Sequence, residues 1–121
     1  VRWNRRIEIE TVTLDQLIDR FGLPAFVKID VEGSEPAVLA GLSRALPALS
    51  FEYLPRARVE VQQCLTRLMA LGPYRFNWSV GESDDLASAC WLDASHVLAA
   101  LQAPAAQRRS GDVYARLAGA A

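Results

Sequence analysis

The order of strand-like and helix-like segments limits the fold of this chain more than any other feature. Segments rich in β-branched and aromatic residues alternate with segments whose apolar residues recur at helical spacing. Parallel strands need a crossover of about ten residues or more, usually a helix. The alternation therefore predicts an α/β fold with a largely parallel sheet covered on both faces. Its strands are expected at residues 26–31, 48–54, 74–80 and 111–117.

Capping signals mark the ends of the predicted helices. Thr13 and Gln16 have the spacing of a capping box, and Gly22 stands where that helix should end. The second helix is expected from Ser34, its N-cap, as far as Pro47. A third helix closes at Gly72, and the last begins near Asp93. Residues 1–12 alternate and predict a short strand or extended segment.

Composition limits the class of protein. The 121 residues are 51% hydrophobic and 22% charged, which is typical of one globular domain. The net charge of -1 gives no positive surplus to attract nucleic acid or anionic lipid, so neither partner is expected. No apolar run approaches the roughly 20 residues that span a bilayer. We expect a cytoplasmic protein whose two cysteines are reduced, with Cys64 buried on a helical stripe.

The strand at residues 26–31 carries unexpected charge. A buried parallel strand is normally a continuous apolar run, yet Lys28, Asp30 and Glu32 occupy alternate positions here. In open α/β sheets ligands bind beyond the carboxyl ends of the strands, where Asp30 and Glu32 should lie. Because a buried unpaired charge is costly, these groups are expected to be hydrogen-bonded, to meet a metal or substrate, or to be solvated.

Glu52 occupies a comparable late position on the next strand, so Asp30 and Glu52 are expected to converge. Two such carboxylates can act as a general base with an orienting partner, or can bind a divalent cation, and the spacing does not choose between these roles. Lys28 is expected to pair with a nearby carboxylate. Glu35 should favour the positive end of its helix by about 0.3–1 kcal/mol.

Three further polar or aromatic residues are candidates for structural roles. Asn77 and Trp78 lie within the third predicted strand and are expected to reach the same side as the carboxylates, Asn77 as a hydrogen-bonding partner and Trp78 as part of the core or of a substrate wall. The single histidine, His96, is expected to cap a helix or lie on its surface. Neither a G-x-S-x-G nucleophile motif nor a P-loop is present in the sequence.

The segment from Thr11 to Leu42, followed by a strand ending in Glu at Glu52, resembles the FkbM family of S-adenosylmethionine-dependent methyltransferases. The Leu14-Asp15 pair and the K-I-D-V-E-G-x-E run at residues 28–35 are the motifs that carry this resemblance. The similarity extends over roughly residues 7 to 55, and beyond them it rests on the order of the elements. The chain is therefore similar to the carboxyl-terminal half of such an enzyme.

The resemblance implies a Rossmann-like methyltransferase sheet, with residues 26–31 as its fourth strand and an antiparallel last strand. Residues 1–121 would form one partial domain that lacks the first three strands, which carry the glycine-rich cofactor turn. S-adenosylmethionine is the implied cofactor, with no binding residue assigned, and a divalent cation stays open. The implied acceptor is a hydroxyl group of a sugar, secondary metabolite or glycan, which Asp30, Glu32 and Glu52 would orient or deprotonate.

Two other interpretations stay open. The chain could be a non-catalytic, self-associating α/β module derived from a methyltransferase, because an incomplete parallel sheet exposes an edge that favours pairing with another chain. A homo-oligomer is expected in that case. The segment at residues 27–33 also suits a fragment of a (β/α) barrel, although a whole barrel needs about 250 residues.

Overall fold

In the computed structural model the described residues are 12–31, 33–81, 83, 85–103 and 109–119. They form a sheet of strands β1 (Val27–Ile29), β2 (Ala48–Tyr53), β3 (Tyr74–Val80) and β4 (Gly111–Leu117). The strand order is β1-β2-β4-β3, with β1 parallel to β2 and β4 antiparallel to both of its neighbours. The expected antiparallel last strand is thus confirmed, and it lies inside the sheet rather than at its edge.

Four helices connect the strands: α1 (Leu14–Phe21), α2 (Glu35–Ala40), α3 (Arg58–Leu71) and α4 (Ala94–Gln102). The predicted capping box opens α1, because the Thr13 hydroxyl accepts from the Gln16 amide and the Gln16 side chain accepts from the Thr13 amide. Asp93 caps α4 by accepting from the His96 amide, as predicted. The mixed α/β class follows directly from these elements.

Helix α2 is shorter than the sequence predicts. It ends at Ala40, and the amide of Gly41 donates to the Val38 carbonyl in a tightened last turn. Glycine is a poor helix former, which explains why the helix stops there. Leu42 and Leu46 are nevertheless fully buried, so the apolar pattern correctly located core residues whose backbone is not helical.

Alternation along the strands separates an apolar face of the sheet from a polar one. The apolar face joins residues of every described helix in a single core. Its members include Ile18, Ile29, Leu39, Leu49, Phe51, Leu65, Leu68, Phe76, Val97, Val113 and Ala115. The opposite face carries Lys28, Ser50 and Tyr114 in one register row and Glu52 with Asp112 in the next. The sequence predicts helices on both faces of the sheet. The described helices all pack against one face.

Cys64 lies in this core and is 1% exposed, as the helical stripe predicts. Burial raises the pKa of its thiol to about 12, and the charges of Glu35 and Glu60 act in the same direction. Cys90 is exposed. The Cys64 side chain is therefore an inert part of the core.

Several predicted segments have a different outcome. The alternating residues 1–11 lie outside the described residues, as do residues 104–108 between α4 and β4. The segment before α4 forms no strand, but Leu92 makes an isolated bridge with Phe76. Within the described ranges, no helix has the length and apolar character needed to cross a bilayer.

The start of β4 is packed against its neighbours so closely that only glycine fits. A Cβ atom on Gly111 would lie 2.1 Å from the Ser79 carbonyl oxygen and 2.6 Å from the Tyr53 hydroxyl. That hydroxyl donates to the same carbonyl at 3.0 Å. The close approach holds β2, β4 and β3 together at the edge of the sheet where Glu52 lies.

We expect Gly111→Ala to lower the free energy of unfolding by about 1–3 kcal/mol, because the added methyl group overpacks a rigid backbone contact. Urea denaturation followed by circular dichroism measures the change. The matched control is Ala118→Ser, at an exposed position beyond the same strand, which should unfold like the parent chain. Equal stability of the alanine variant and the parent chain would show that the strands separate easily at this point.

Candidate active site

A polar cleft of about 630 Å³ opens at the carboxyl ends of β1 and β2. Because β4 is antiparallel to β2, its beginning lies at the same edge of the sheet. The cleft is lined by Lys28, Asp30, Glu52, Pro55, Gly81, Ser83, Arg109, Ser110, Gly111 and Asp112. This is the edge at which the sequence predicts a ligand site.

Asp30 and Glu52 lie side by side in this cleft. Ile29 and Phe51 are partners in the parallel ladder, so the next residues of the two strands are neighbours. The pKa of Glu52 is raised from its ordinary value, first by burial and then by the charge of Asp30 and a hydrogen bond between the two carboxyl groups. The predicted convergence of Asp30 and Glu52 is confirmed.

One oxygen of Glu52, Oε1, is buried and accepts no hydrogen bond from any described residue. Two ionised carboxylates are both acceptors, so neither can satisfy the other, and adjacent like charges favour protonation of one of them. A single proton held between Glu52 and Asp30 resolves both problems.

Asp112, near the start of β4, adds a third carboxylate to the cleft. It is the ladder partner of Glu52 on β4, and its charge further raises the pKa of Glu52. Nothing in the local sequence of β4 indicates this position. Only the antiparallel insertion of β4 beside β2 brings Asp112 to the carboxyl end of β2.

Two cations line the same cleft. Lys28 is exposed, and the expected ion pair with a neighbouring carboxylate is absent among the residues that the structure describes. Arg109 precedes β4, and its guanidinium lies against Gly81 at the end of β3. The sequence does not predict Arg109 as a site residue. Arg109 reaches the cleft only because β4 is inserted between β2 and β3.

Glu35 has a structural role in the turn that follows β1. Its side chain is 2% exposed, and its carboxylate accepts from the amides of Gly33 at 2.8 Å and Val31 at 3.1 Å. Gly33 has φ +99°, a left-handed conformation that favours glycine. The structural interpretation of Glu35 is thus correct, although its main contacts are with this turn. Glu32, inside the turn, lies outside the described residues, and its role stays a prediction.

Asn77 and Trp78 do not join the cleft. Asn77 is fully buried, donates to the Ser88 carbonyl and accepts from the Ser88 amide, so it anchors the loop before α4. Trp78 is partly buried against the core. His96 is exposed, with its Nδ1 atom 2.6 Å from the Asp93 carboxylate, so the expected surface or capping role is correct.

The divalent cation that the sequence left open gains no support. Within the described ranges, there is no group of three histidine, cysteine, aspartate or glutamate residues that could hold a metal ion.

We expect Glu35→Gln to destabilise the chain by about 1–3 kcal/mol, because the amide nitrogen of the buried glutamine side chain would then face a backbone N–H donor of the turn. Urea denaturation measures the loss. Glu60→Gln, on α3, is the matched control and should change stability little. If Glu35→Gln unfolds like the parent chain, the carboxylate does not hold the turn.

Glu52 should make stability depend on pH. A carboxyl group with a raised pKa in the folded state favours folding at low pH, and that contribution is lost as the pH rises through the raised value. The ordinary pKa is 4.5, so the loss is expected above it. Glu52→Gln removes the cost of ionisation and should be more stable than the parent chain at neutral pH, with a gain that shrinks towards pH 4.

Denaturation series at several pH values measure this difference. The control is Asp85→Asn, in an exposed loop, which should show no such trend. If the difference in the free energy of unfolding between Glu52→Gln and the parent chain stays constant with pH, the description of Glu52 as one of two paired carboxylates is wrong.

Comparison with known proteins identifies the family of this chain. The family model for the methyltransferase FkbM domain matches residues 1–85, which include both Asp30 and Glu52. Searches of curated proteins and of solved structures gave no significant match. Because the matched segment covers well over half of the 121 residues, this chain belongs to the FkbM methyltransferase family.

Proposed function

We propose that this chain is the acceptor-side part of an S-adenosylmethionine-dependent O-methyltransferase. The acceptor is a hydroxyl group of a sugar, a secondary metabolite or a glycan. The observation that carries the proposal is the pairing of Asp30 with Glu52 at one polar cleft, in a chain of a methyltransferase family. A Rossmann-like arrangement of the sheet is part of the same proposal, supported by the position of the cleft at the carboxyl ends of β1 and β2.

In this proposal Asp30 is the general base. Its side chain is exposed to the cleft, whereas Glu52 is more deeply buried and favours the protonated form. Asp30 would accept the proton of the acceptor hydroxyl. Glu52 would donate a hydrogen bond to Asp30 and so orient it. S-adenosylmethionine, held by other polypeptide, would supply the electrophilic methyl group.

The cations of the cleft have a complementary task. Lys28 and Arg109 provide hydrogen-bond donors that can hold the other oxygen atoms of a polyhydroxylated acceptor. Charged and polar groups dominate the lining, which suits a hydrophilic acceptor better than an apolar one. This is the basis for a sugar-like or glycan acceptor.

The described residues do not fit the adenosine of the cofactor. A purine needs an apolar or aromatic wall, but none of the described residues that line the cleft is aromatic, and Pro55 is the main apolar group. We therefore assign no cofactor-binding residue. The proposal places the adenosine on other polypeptide, and the carboxylates of this chain on the acceptor side.

The second candidate function is a non-catalytic module that self-associates. It is favoured by one observation, the exposure of large apolar side chains beside β1, including Phe26 at 49% and Val31 at 41%. Exposed apolar groups beside a sheet edge are typical of an interaction surface. Binding of S-adenosylmethionine distinguishes the methyltransferase from the non-catalytic module.

Calorimetric titration with S-adenosylmethionine and S-adenosylhomocysteine tests the proposal. We expect saturable binding at one site per catalytic unit when the chain is in its functional assembly. A sample that is folded by circular dichroism and binds neither compound would favour the non-catalytic module.

For the active assembly, transfer of labelled methyl groups to a panel of sugars and polyols should depend on Asp30. Asp30→Asn should lower the transfer rate by about 10²–10⁴-fold, because the general base is lost while the shape is kept. Glu52→Gln keeps a donor for Asp30 and should retain more activity. Asp19→Asn, an exposed carboxylate paired with Arg44, is the control and should match the parent chain. Full activity of the Asp30 variant would exclude it as the base.

A further inference from the structure

We infer that Glu35 is a positioning residue, which fixes the turn after β1 so that the carboxylate of Asp30 stays beside Glu52. The turn runs from Val31 to Ser34, and Asp30 directly precedes it. The proposed function depends on the contact between Asp30 and Glu52. A residue that fixes this turn therefore also fixes the geometry of the proposed base.

The ladder between the strands does not fix Asp30. The pairing of β1 with β2 ends at Ile29 and Phe51, so Asp30 lies one residue beyond the last pair. Glu52 is better fixed, because it is still paired with Asp112 on β4. The position of Asp30 relative to Glu52 therefore depends on the backbone that follows Asp30.

Two hydrogen bonds tie this backbone to the Glu35 side chain. Its carboxylate oxygens accept from different amides, Oε2 from Val31 at 3.1 Å and Oε1 from Gly33 at 2.8 Å. The Ser34 amide also donates to the Val31 carbonyl at 3.3 Å, which closes the turn. Because Val31 is adjacent to Asp30 in the chain, the bond to its amide restrains the backbone directly beside the proposed base.

Glu35 also lies near Glu52. Both residues line one small interior cavity of about 10 Å³, and Glu60 and Cys64 of α3 line the same cavity. The described residues around it include no lysine, arginine or histidine. Glu35 is thus close to both members of the pair, to Asp30 through the turn and to Glu52 across the cavity.

The burial of Glu35 is unusual for a residue that serves only the end of a helix. Its side chain is 2% exposed and forms no ion pair with a described residue. Burying a carboxylate without a cation is costly, whereas a negative charge in the first turn of a helix is favourable at the surface too. Such a cost beside a pair of acidic groups is typical of functional sites.

Two substitutions loosen the turn without removing a charge. Glu35→Asp keeps a carboxylate but shortens the side chain, so that it no longer reaches both amides. Gly33→Ala leaves Glu35 in place and strains the backbone, because φ of Gly33 is +99°. The added methyl group itself meets no atom of a described residue within 4 Å. In both variants Asp30 should move away from Glu52.

The pKa of Glu52, followed by carboxyl-carbon NMR in the folded chain, reports this movement. Burial raises this pKa first, and the charge of Asp30, the hydrogen bond between Asp30 and Glu52, and the charges of Glu35 and Asp112 raise it further. In both variants it should fall part of the way towards the ordinary value of 4.5, because the effect of Asp30 is weakened. A role of Glu35 in stability alone would leave it unchanged.

Two matched controls separate this movement from general effects. Gly119→Ala strains another left-handed position, φ +82°, beyond the far end of β4. Glu60→Gln removes a charge from α3, the helix that packs near Glu35. Neither control should change the pKa of Glu52. The cations of the cleft, Lys28 and Arg109, are present in every variant.

Circular dichroism verifies that each variant is folded. If Glu35→Asp does not fold, Gly33→Ala decides the test, because it changes no side chain of the cleft. An unchanged pKa of Glu52 in the folded variants would overturn the inference and leave Glu35 with a role in stability alone. This result is independent of methyl transfer.

The catalytic consequence rests on the proposed function. In the active assembly both variants should lower kcat for methyl transfer by about 10–10²-fold and change KM little, because a displaced base loses its alignment. Gly119→Ala should match the parent chain. An assembly of the parent chain that transfers no methyl group would contradict the proposed function, and the NMR titration would still decide the role of Glu35.

Discussion

The antiparallel insertion of β4 between β2 and β3 is the contact on which the rest of this structure depends. All six residues of β2 and all seven of β3 have ladder partners on β4. Val113 and Ala115 carry the core across this strand, and Gly111 allows the backbones to approach closely at its start. Because β4 runs backwards, its first residues meet the last residues of β2. The cleft exists for that reason.

The electrostatics of the cleft follow from the same geometry. Glu52 stands between Asp30 on one side and Asp112 on the other, so its carboxyl group has negative neighbours on two strands as well as partial burial. Each of these factors raises its pKa, and a buried oxygen without a hydrogen-bond donor fits a shared proton. The arrangement is costly for stability, as is common at functional sites, and the proposed function uses it for proton transfer.

Strand β1 lies between the polar cleft and an apolar groove. Its alternate residues Lys28 and Asp30 belong to the cleft, while Val27 and Val31 belong to the apolar groove beside the edge. The charge on this strand is therefore not an exception to the apolar rule for parallel strands. One face of β1 lies in the polar cleft, so only its other face needs apolar residues.

The sequence by itself determined the local elements and their chemistry. The capping box at Thr13, the cap at Asp93 and the buried Leu42 and Leu46 follow from short-range patterns. The convergence of Asp30 and Glu52 was predicted from their late positions on two consecutive strands joined by a helical crossover. Tertiary structure alone decided the end of α2 at Ala40, the burial of Asn77 under its loop, and the arrival of Asp112 and Arg109 at the cleft. These outcomes depend on contacts between segments far apart in the chain, and hydrophobic period and capping signals carry no information about which strands become neighbours.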